Sequence, residues 1–392
     1  MEYRCISADC HIDLNWLRHD LFVSNASKAM KERMPFVIQD ADGPRWVTKS
    51  GLNLGLANGK GCSGVTSGGR KIVPGEDHRT DCMASTGLFT DGSQGIFRPT
   101  TLELRLRDQD CDGVQAEVLF GLHFYGGNKI TDGEVLVEFY RIYNDWLADF
   151  CSYDRERLVG LASIPNVSVE VAVAEARRVA KLGLGGFDVS EFQCPGMMPL
   201  WNPYWDPFWK AAAELNLPVH FHTIGRPGGT PTGSLEKDLP ETLKQVYLAA
   251  RKPQSPLFMS DTLCSIIQGG ALERYPTLRV VLAESGIGWI PFILERMDCG
   301  YEERFKDKTP LKMKPSDYWR RQCRATFQND RIGAKLLDDL GIENVMWASD
   351  YPHPDGVFPE SQEYIKRQFG HLPSTTQRKL ICENVGKFYG LM

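Results

Sequence analysis

The sequence lacks the long apolar run, the excess of basic residues and the paired cysteines that would each identify a common class of protein. Because no stretch of about 18 apolar residues occurs, we expect no membrane span, and the N-terminal residues do not show the pattern of a signal peptide. Lys and Arg total 45 against 50 Asp and Glu, so nucleic acid is not an expected partner. The eleven scattered cysteines include no Cys-x-x-Cys pair, which indicates reduced thiols and a cytoplasmic protein.

Apolar strands alternate with helical stretches along the 392 residues. The candidate strands, in chain order, are residues 3–9, 113–120, 158–164, 184–190, 217–222, 278–284, 323–328 and 344–349. Residues 168–183, 207–216 and 289–298 carry apolar side chains at helical spacing. Eight strands separated by helices predict a single α/β domain over residues 1–392, a (β/α)8 (TIM) barrel, in preference to an open doubly wound sheet.

A long segment, residues 24–104, separates the first two predicted strands and far exceeds an ordinary connection between a strand and a helix. Residues 53–80 are rich in glycine and show no helical period, whereas residues 44–56 could form a hairpin. Because the segment follows the first strand, we expect it to overhang the barrel mouth as a lid-like loop that sets specificity. The alternative is a surface excursion or a subunit contact. His78 is a candidate substrate-binding residue there, or a solvated loop histidine.

Acids and histidines stand where several predicted strands end. Alternate residues of a strand share one face, so side chains two apart point the same way. Catalytic groups of such barrels lie at the C-terminal ends of the strands. The side chains in these positions are Asp9, His11, His220, His222, Glu284, Asp350 and, just beyond the last strand, His353.

A divalent cation would account for most of this set. Imidazole and carboxylate ligands that leave one position for water are typical of a catalytic metal site. The cation would also supply the counter-charge that buried carboxylates need. Each motif alone has an ordinary explanation, since a strand histidine is often hydrogen-bonded in a core and Asp350 could bond loop amides. The candidate ligands are Asp9, His11, His222, Glu284 and Asp350.

Five segments, which lie in the order and at the spacing of a known family, resemble the amidohydrolase-related branch of the amidohydrolase superfamily. This branch includes aminocarboxymuconate-semialdehyde decarboxylase and its relatives. The resemblance extends over most of the chain outside residues 24–100. The segments are “SADCHID”, “LPVHFHTIG”, “ESGIGWIPFILERMD”, “ASDYPHPDG” and “ENVGKFYGL”.

The resemblance implies a (β/α)8 barrel with one divalent metal ion, usually Zn²⁺, although Mn²⁺ and Fe²⁺ also accept imidazole and carboxylate ligands. It implies that Asp9, His11 and His222 are ligands, and that Asp350 is a ligand that also orients or deprotonates a water molecule. No lysine ends the fourth predicted strand, so a carbamylated lysine bridging two ions is not expected. A homodimer is also implied.

The sequence departs from this family at the end of the sixth predicted strand. Glu284 stands where a histidine is frequent, and the aromatic-acid decarboxylases of the family usually carry that histidine with a nearby glutamate. Glu284 is therefore a further metal ligand or a proton shuttle. A salt bridge at the barrel end is the structural alternative.

The leading functional prediction is a metal-dependent hydrolase of a small aromatic or carboxylate-bearing substrate. A bound ion lowers the pKa of its water to about 7, Asp350 would accept the proton, and Glu284 would pass it to the leaving group. His353 polarises a carbonyl or stabilises its loop through a hydrogen bond. The alternative is non-oxidative decarboxylation of an aromatic or unsaturated carboxylic acid, and a third interpretation is a non-catalytic metal-binding barrel.

Four residues near the fifth strand are candidate contacts for the substrate. Trp201 and Tyr204 precede a helix and could reach the pocket or a subunit interface. Arg226 would anchor a substrate carboxylate, or it is a solvated loop arginine. His220 shares a strand face with His222 and would orient a ligand or touch the substrate.

Overall fold

The computed structural model describes residues 2–41, 43–57, 78–122, 129–189, 198–223 and 239–392. The strands in these ranges are β1 (Ile6–His11), β2 (Phe36–Asp40), β3 (Gly43–Val47), β4 (Asn53–Leu56), β5 (Ala116–Phe120), β6 (Leu158–Ile164), β7 (Gly186–Val189), β8 (Val219–His222), β9 (Val280–Ala283), β10 (Cys323–Phe327) and β11 (Val345–Trp347). The α-helices are α1 (Leu21–Asn25), α2 (His78–Ser85), α3 (Leu88–Ser93), α4 (Leu102–Asp112), α5 (Gly133–Ser152), α6 (Val169–Ala180), α7 (Asp206–Leu215), α8 (Glu241–Arg251), α9 (Met259–Gln268), α10 (Ala271–Arg274), α11 (Ile290–Gly300), α12 (Pro315–Gln322), α13 (Leu337–Leu340), α14 (Ser361–Phe369), α15 (Ser374–Arg378) and α16 (Asn384–Tyr389).

Eight parallel strands form one sheet in the order β1-β5-β6-β7-β8-β9-β10-β11. Hydrogen bonds between β1 and the segment just after β11 join the two ends of the sheet beside the candidate ligands. The N–H of Asp350 donates to the carbonyl of Asp9 at 2.9 Å, and the N–H of His11 donates to the carbonyl of Tyr351 at 2.7 Å. The (β/α)8 barrel predicted from the sequence is therefore confirmed.

The C-terminal helix closes the N-terminal end of the barrel. Phe388 and Tyr389 pack against the apolar side chains that fill the barrel interior. Near the start of β9, Arg279 donates to the carbonyl of Phe388 at 2.9 Å. The Cys382 thiol donates to the carbonyl of Tyr3, which precedes β1. Since this end is plugged, the polar side chains of the interior face the opposite, C-terminal mouth.

Residues 24–104, predicted as an inserted lid-like loop, contain regular structure of their own. β2, β3 and β4 form an antiparallel sheet. The expected hairpin is present, with the N–H of Thr48 donating to the carbonyl of Leu52 at 3.0 Å. The expectation that residues 53–80 contain no helix is wrong at its end, because α2 begins at His78.

The inserted sheet packs onto the chain that follows β1, on the mouth side of the barrel. Trp46 and Leu54 are fully buried, and the ring of Trp46 meets Phe22 edge-on at 5.5 Å. The His19 ring nitrogen Nε2 lies 2.6 Å from the carbonyl of Ala57. This segment is therefore a packed part of the domain, and its action as a lid stays a prediction.

No helix in the described part of the chain combines the length and the hydropathy that crossing a bilayer would need.

A buried arginine joins the elements around the barrel closure. Arg105 of α4 is fully buried and forms an ion pair with Glu117 of β5. Its guanidinium also donates to the carbonyls of His11 at 3.1 Å and Pro99 at 2.9 Å, and lies over the ring of Tyr351. Because carbonyl and carboxylate acceptors surround one cation, Arg105 fixes the end of β1 against β5 and the loop after β11.

Replacing Arg105 with Met should destabilise the protein by about 3–5 kcal/mol, since the buried Glu117 carboxylate would lose its cation. The free energy of unfolding in urea measures this loss. The matched control is Arg33→Met, because Arg33 pairs with Asp132 and Glu134 at the surface and its loss should cost far less stability. Similar losses in both variants would contradict the role of Arg105.

Candidate metal centre

The structure brings together the five side chains that the sequence predicts as metal ligands. Asp9 and His11 occupy alternate positions at the end of β1, and His222 is the last residue of β8. Glu284 directly follows β9, and Asp350 lies three residues past β11. All except Glu284 are buried, and the Glu284 side chain is 23% exposed. The cluster therefore opens to the mouth on its Glu284 side.

Imidazole and carboxylate atoms approach one another closely at the centre of this cluster. Nε2 of His11 lies 3.3 Å from Oδ1 of Asp9 and 3.2 Å from Oδ1 of Asp350. Nε2 of His222 lies 3.5 Å from Oδ1 of Asp9 and 3.6 Å from Oε2 of Glu284. These atoms surround a single small volume, as the ligands of one ion would.

Several buried polar atoms of these residues make no hydrogen bond among the described residues. They are Oδ1 of Asp9, both ring nitrogens of His11, Nε2 of His222 and both carboxylate oxygens of Asp350, although Oδ1 of Asp350 lies 3.0 Å from Nδ1 of His353. A buried polar atom without a partner is costly, so such a concentration needs an explanation. A divalent cation accepts a lone pair from each of these donor types. The residues present therefore fit a bound divalent ion.

Neighbouring polar groups hold the ligands in place. The Thr326 hydroxyl donates to Oδ2 of Asp9 at 3.0 Å and accepts from the N–H of Glu284 at 2.8 Å. Thr326 thus leaves Oδ1 of Asp9 directed at the centre. Glu284 and Asp350 have φ angles of 50° and 58°, in the left-handed region that non-glycine residues rarely adopt. Strained backbone of this kind occurs at functional sites, where the surrounding structure maintains it.

The close approach of carboxylates and imidazoles shifts the pKa values of the cluster in opposite directions. Burial raises the pKa of Asp9, but the attraction of His222 and His11 outweighs it and holds that pKa well below its usual range. Burial, reinforced by the Asp350 carboxylate, raises the pKa of Glu284 to about 8. Since two carboxylates repel each other in one small space, a divalent cation would relieve the repulsion.

Carboxylates lie close to both ring nitrogens of His353. Nε2 lies 2.9 Å from Oδ2 of Asp13, and Nδ1 lies 3.0 Å from Oδ1 of Asp350. Its ring stacks on His11 with centroids 3.9 Å apart. These contacts favour the loop-stabilising alternative for His353, and the expectation that it polarises a carbonyl stays a prediction.

Asp13 is a buried member of the site that sequence reasoning missed. The available signal was its position two residues after His11, which continues the alternation of Asp9 and His11.

His220 occupies a deeper level of the barrel than His222. Its ring nitrogens lie 3.0 Å from the carbonyl of Phe187 and 2.7 Å from the hydroxyl of Tyr389 in the C-terminal helix. Because it is fully buried and both nitrogens have partners, the prediction that it touches the substrate is corrected to a structural role.

The other candidate substrate contacts are not brought to the cluster by the described residues. The Tyr204 hydroxyl accepts from the N–H of Val169 at 2.9 Å, at the start of α6, so it satisfies a helix terminus instead of facing the pocket. Trp201 is 53% exposed, which leaves a surface contact open. Arg226 and the side chain of His78 lie outside the described residues.

Two curated relatives match most of the chain. The 2-amino-3-carboxymuconate-6-semialdehyde decarboxylase of Dictyostelium discoideum is 26% identical over 331 residues, which cover 80% of this chain and 84% of the relative. The gamma-resorcylate decarboxylase of Rhodococcus jostii (strain RHA1) is 27% identical over 262 residues, which cover 64% of this chain and 77% of the relative.

Solved structures share the fold over the full length. An amidohydrolase from Mycobacterium avium subsp. paratuberculosis K-10 superposes with a TM-score of 0.75 at 19% identity and covers 100% of both chains. The 5-carboxyvanillate decarboxylase of Novosphingobium aromaticivorans DSM 12444, solved with bound manganese, superposes with a TM-score of 0.67 at 18% identity and covers 99% of this chain and 97% of its own. At these identities the likeness shows the fold.

The larger part of the sequence matches a model of a known protein family. Residues 113–391, which contain seven of the eight barrel strands, match the model described as Amidohydrolase. The resemblance read from the sequence motifs is thereby confirmed, and the chain belongs to the amidohydrolase family, on the side of the aminocarboxymuconate-semialdehyde decarboxylase relatives.

Proposed function

We propose that this protein is a metal-dependent, non-oxidative decarboxylase of a small aromatic or unsaturated carboxylic acid. The observation that carries the proposal is a buried cluster of imidazoles and carboxylates at the mouth of a barrel whose curated relatives are decarboxylases. The relatives favour this alternative over the hydrolysis that the sequence first suggested.

The proposed ligands are Asp9, His11, His222 and Asp350, because their unpartnered atoms face one another. The bound ion would act as a Lewis acid toward the substrate carboxylate and a neighbouring oxygen. The nitrogen and oxygen donors suit Zn²⁺, Mn²⁺ or Fe²⁺, and manganese is present in a structural neighbour.

Glu284 is placed to supply the proton that decarboxylation requires. The bond between the ring carbon and the carboxyl group breaks, its electron pair stays on the ring carbon, and CO2 leaves. A proton must then be added to that carbon. Glu284 lies on the open side of the cluster, 3.6 Å from His222, where its carboxyl can hold that proton and deliver it.

An apolar ring lies against two of the proposed ligands. The ring of Phe120 lies beneath the imidazoles, with centroids 5.8 Å from His11 and 5.1 Å from His222. Because Phe120 is buried, it provides an apolar surface inside the site, which suits an aromatic substrate.

The homodimer that the family resemblance implies and the cytoplasmic location both stay predictions.

His222→Ala should weaken Mn²⁺ binding by more than about 100-fold. Loss of a residue that only supports a ligand weakens metal binding by at most about that factor. The measurement is a titration of metal-free protein, following unbound Mn²⁺ by electron paramagnetic resonance. His220→Ala is the matched control in the same strand. It should lower stability, since Tyr389 loses its partner, yet retain one Mn²⁺ per chain. Undiminished binding in His222→Ala would contradict the ligand assignment.

Decarboxylation predicts a distinct isotope pattern in the product. With Mn²⁺-loaded protein and ortho-hydroxylated benzoates in D2O, one deuterium should appear at the carbon that carried the carboxyl group, and CO2 should be released. In H2¹⁸O the aromatic product should contain no solvent oxygen. Turnover of amides or esters with solvent oxygen in the released acid, and no release of CO2 from the benzoates, would support hydrolysis instead. Metal-loaded protein without turnover across carboxylates, amides and esters would favour the non-catalytic barrel.

Glu284→Gln should lower kcat by about 10²–10⁴-fold, the usual contribution of a general acid, while one Mn²⁺ per chain is retained. Glu284→Asp, which keeps a carboxyl group on a shorter side chain, should recover part of the rate. Loss of the metal from Glu284→Gln would identify Glu284 as a ligand and refute its role as the acid.

A further inference from the structure

We propose that Asp13 is a positioning residue that fixes the metal-facing carboxylate of Asp350 by acting through His353. This inference rests on the proposed metal site. Neither Asp13 nor His353 belongs to the ligand set, yet both are buried beside it. The chain of contacts runs from Oδ2 of Asp13 to Nε2 of His353 at 2.9 Å, and from Nδ1 of His353 to Oδ1 of Asp350 at 3.0 Å.

Backbone contacts fix both ends of this chain. The N–H of Trp16 donates to the carbonyl of Asp13 at 3.1 Å, which holds Asp13 in a short 3-10 turn after β1. The N–H of His353 donates to the carbonyl of Asp350 at 2.8 Å. The turn that follows is tight, because a Cβ on Gly356 would lie 2.5 Å from the carbonyl oxygen of Ser349. Asp13 and Asp350 therefore have little freedom to move apart.

The hydrogen-bonding capacity of the groups explains why a histidine stands between them. An ionised carboxylate only accepts hydrogen bonds, whereas the two ring nitrogens of an imidazole point in different directions, so one imidazole can contact two carboxylates at once. His353 lies 2.9 Å from Asp13 and 3.0 Å from Asp350, and these contacts limit the movement of both carboxylates. Stacking on His11 at 3.9 Å holds the ring plane. Removing Asp13 would free His353 to rotate and would leave Asp350 without its directing partner.

A second metal ion is the competing explanation of the same residues. Donor atoms of His11, Asp13 and His353 also lie within 4.8 Å of one another. The short contact between Asp13 and His353 favours a direct hydrogen bond over a shared ion. The number of ions per chain separates the two explanations.

The test is the affinity of metal-free protein for Mn²⁺, measured by titration with paramagnetic detection of the unbound ion. Asp13→Asn and His353→Phe should each weaken binding of the single Mn²⁺ by about 10–100-fold, as loss of an outer partner does elsewhere. His353→Phe keeps the stacked ring but loses both nitrogens. Because the two residues act in series, the double variant should bind Mn²⁺ no more weakly than His353→Phe alone.

Asp112→Asn is the matched control. Asp112 is a buried carboxylate at the end of α4 that accepts from the N–H of Ser361 at 2.9 Å, on the far side of the barrel from the mouth. This variant should lose stability and keep wild-type affinity for Mn²⁺. Circular dichroism confirms that each variant is folded, and Asp13→Asn preserves the size of the side chain in case Asp13→Ala does not fold.

Three results would overturn the inference. Folded Asp13→Asn with wild-type affinity would show that Asp13 does not position Asp350. Effects that add fully in the double variant would show that Asp13 and His353 act independently. Two Mn²⁺ ions per wild-type chain would make both residues ligands. A wild-type chain that binds no Mn²⁺ would instead refute the metal site of the proposed function itself, and this inference with it.

Discussion

The balance of charge at the barrel mouth is the constraint on which the site depends. Carboxylates from β1, and from the segments after β9 and β11, face imidazoles across a few ångströms. Several buried atoms of Asp9 and Asp350 have no hydrogen-bond partner among the described residues. Burial of unbalanced charge is expensive unless a counter-charge or a metal compensates it. A bound divalent cation would remove this cost, and the free energy so released would add to the affinity for the metal. The buried carboxylates and imidazoles that destabilise the site without a metal therefore favour metal binding.

Contacts elsewhere in the fold hold the charged side chains of the site in place. Arg105 ties the carbonyl at the end of β1 to β5, and backbone hydrogen bonds at Asp9 and His11 close the barrel beside the same residues. The C-terminal helix fills the opposite end and engages His220 through Tyr389. Stability and metal geometry are therefore coupled, because the same strand ends carry the barrel closure and the ligands.

Much of this site follows from the sequence, because strand periodicity and strand ends are local properties. The alternation of side chains in β1 shows that Asp9 and His11 lie on the same face of the strand. The position of His222 at the end of its strand identifies it as a candidate ligand. The depth of a side chain inside the barrel depends on distant residues and does not follow from strand periodicity. His220 therefore points to the same side as His222 but contacts Tyr389 of the C-terminal helix. The pairing of Asp13 with His353 joins residues 340 positions apart. Only the closure of the barrel brings them together.

The insertion was harder to predict because its structure comes from packing with distant residues. The sequence of residues 44–56 predicts the hairpin, but it does not predict the burial of Trp46 against Phe22, which supports the small sheet. A short antiparallel sheet of this kind has little stability alone and gains it by burial on the barrel.

Anomalous X-ray diffraction at the manganese absorption edge, on crystals of Mn²⁺-loaded protein, tests the central claim most directly. The account predicts one strong peak per chain at coordination distance from Asp9, His11, His222 and Asp350. A peak elsewhere, or none in fully folded protein, would contradict it.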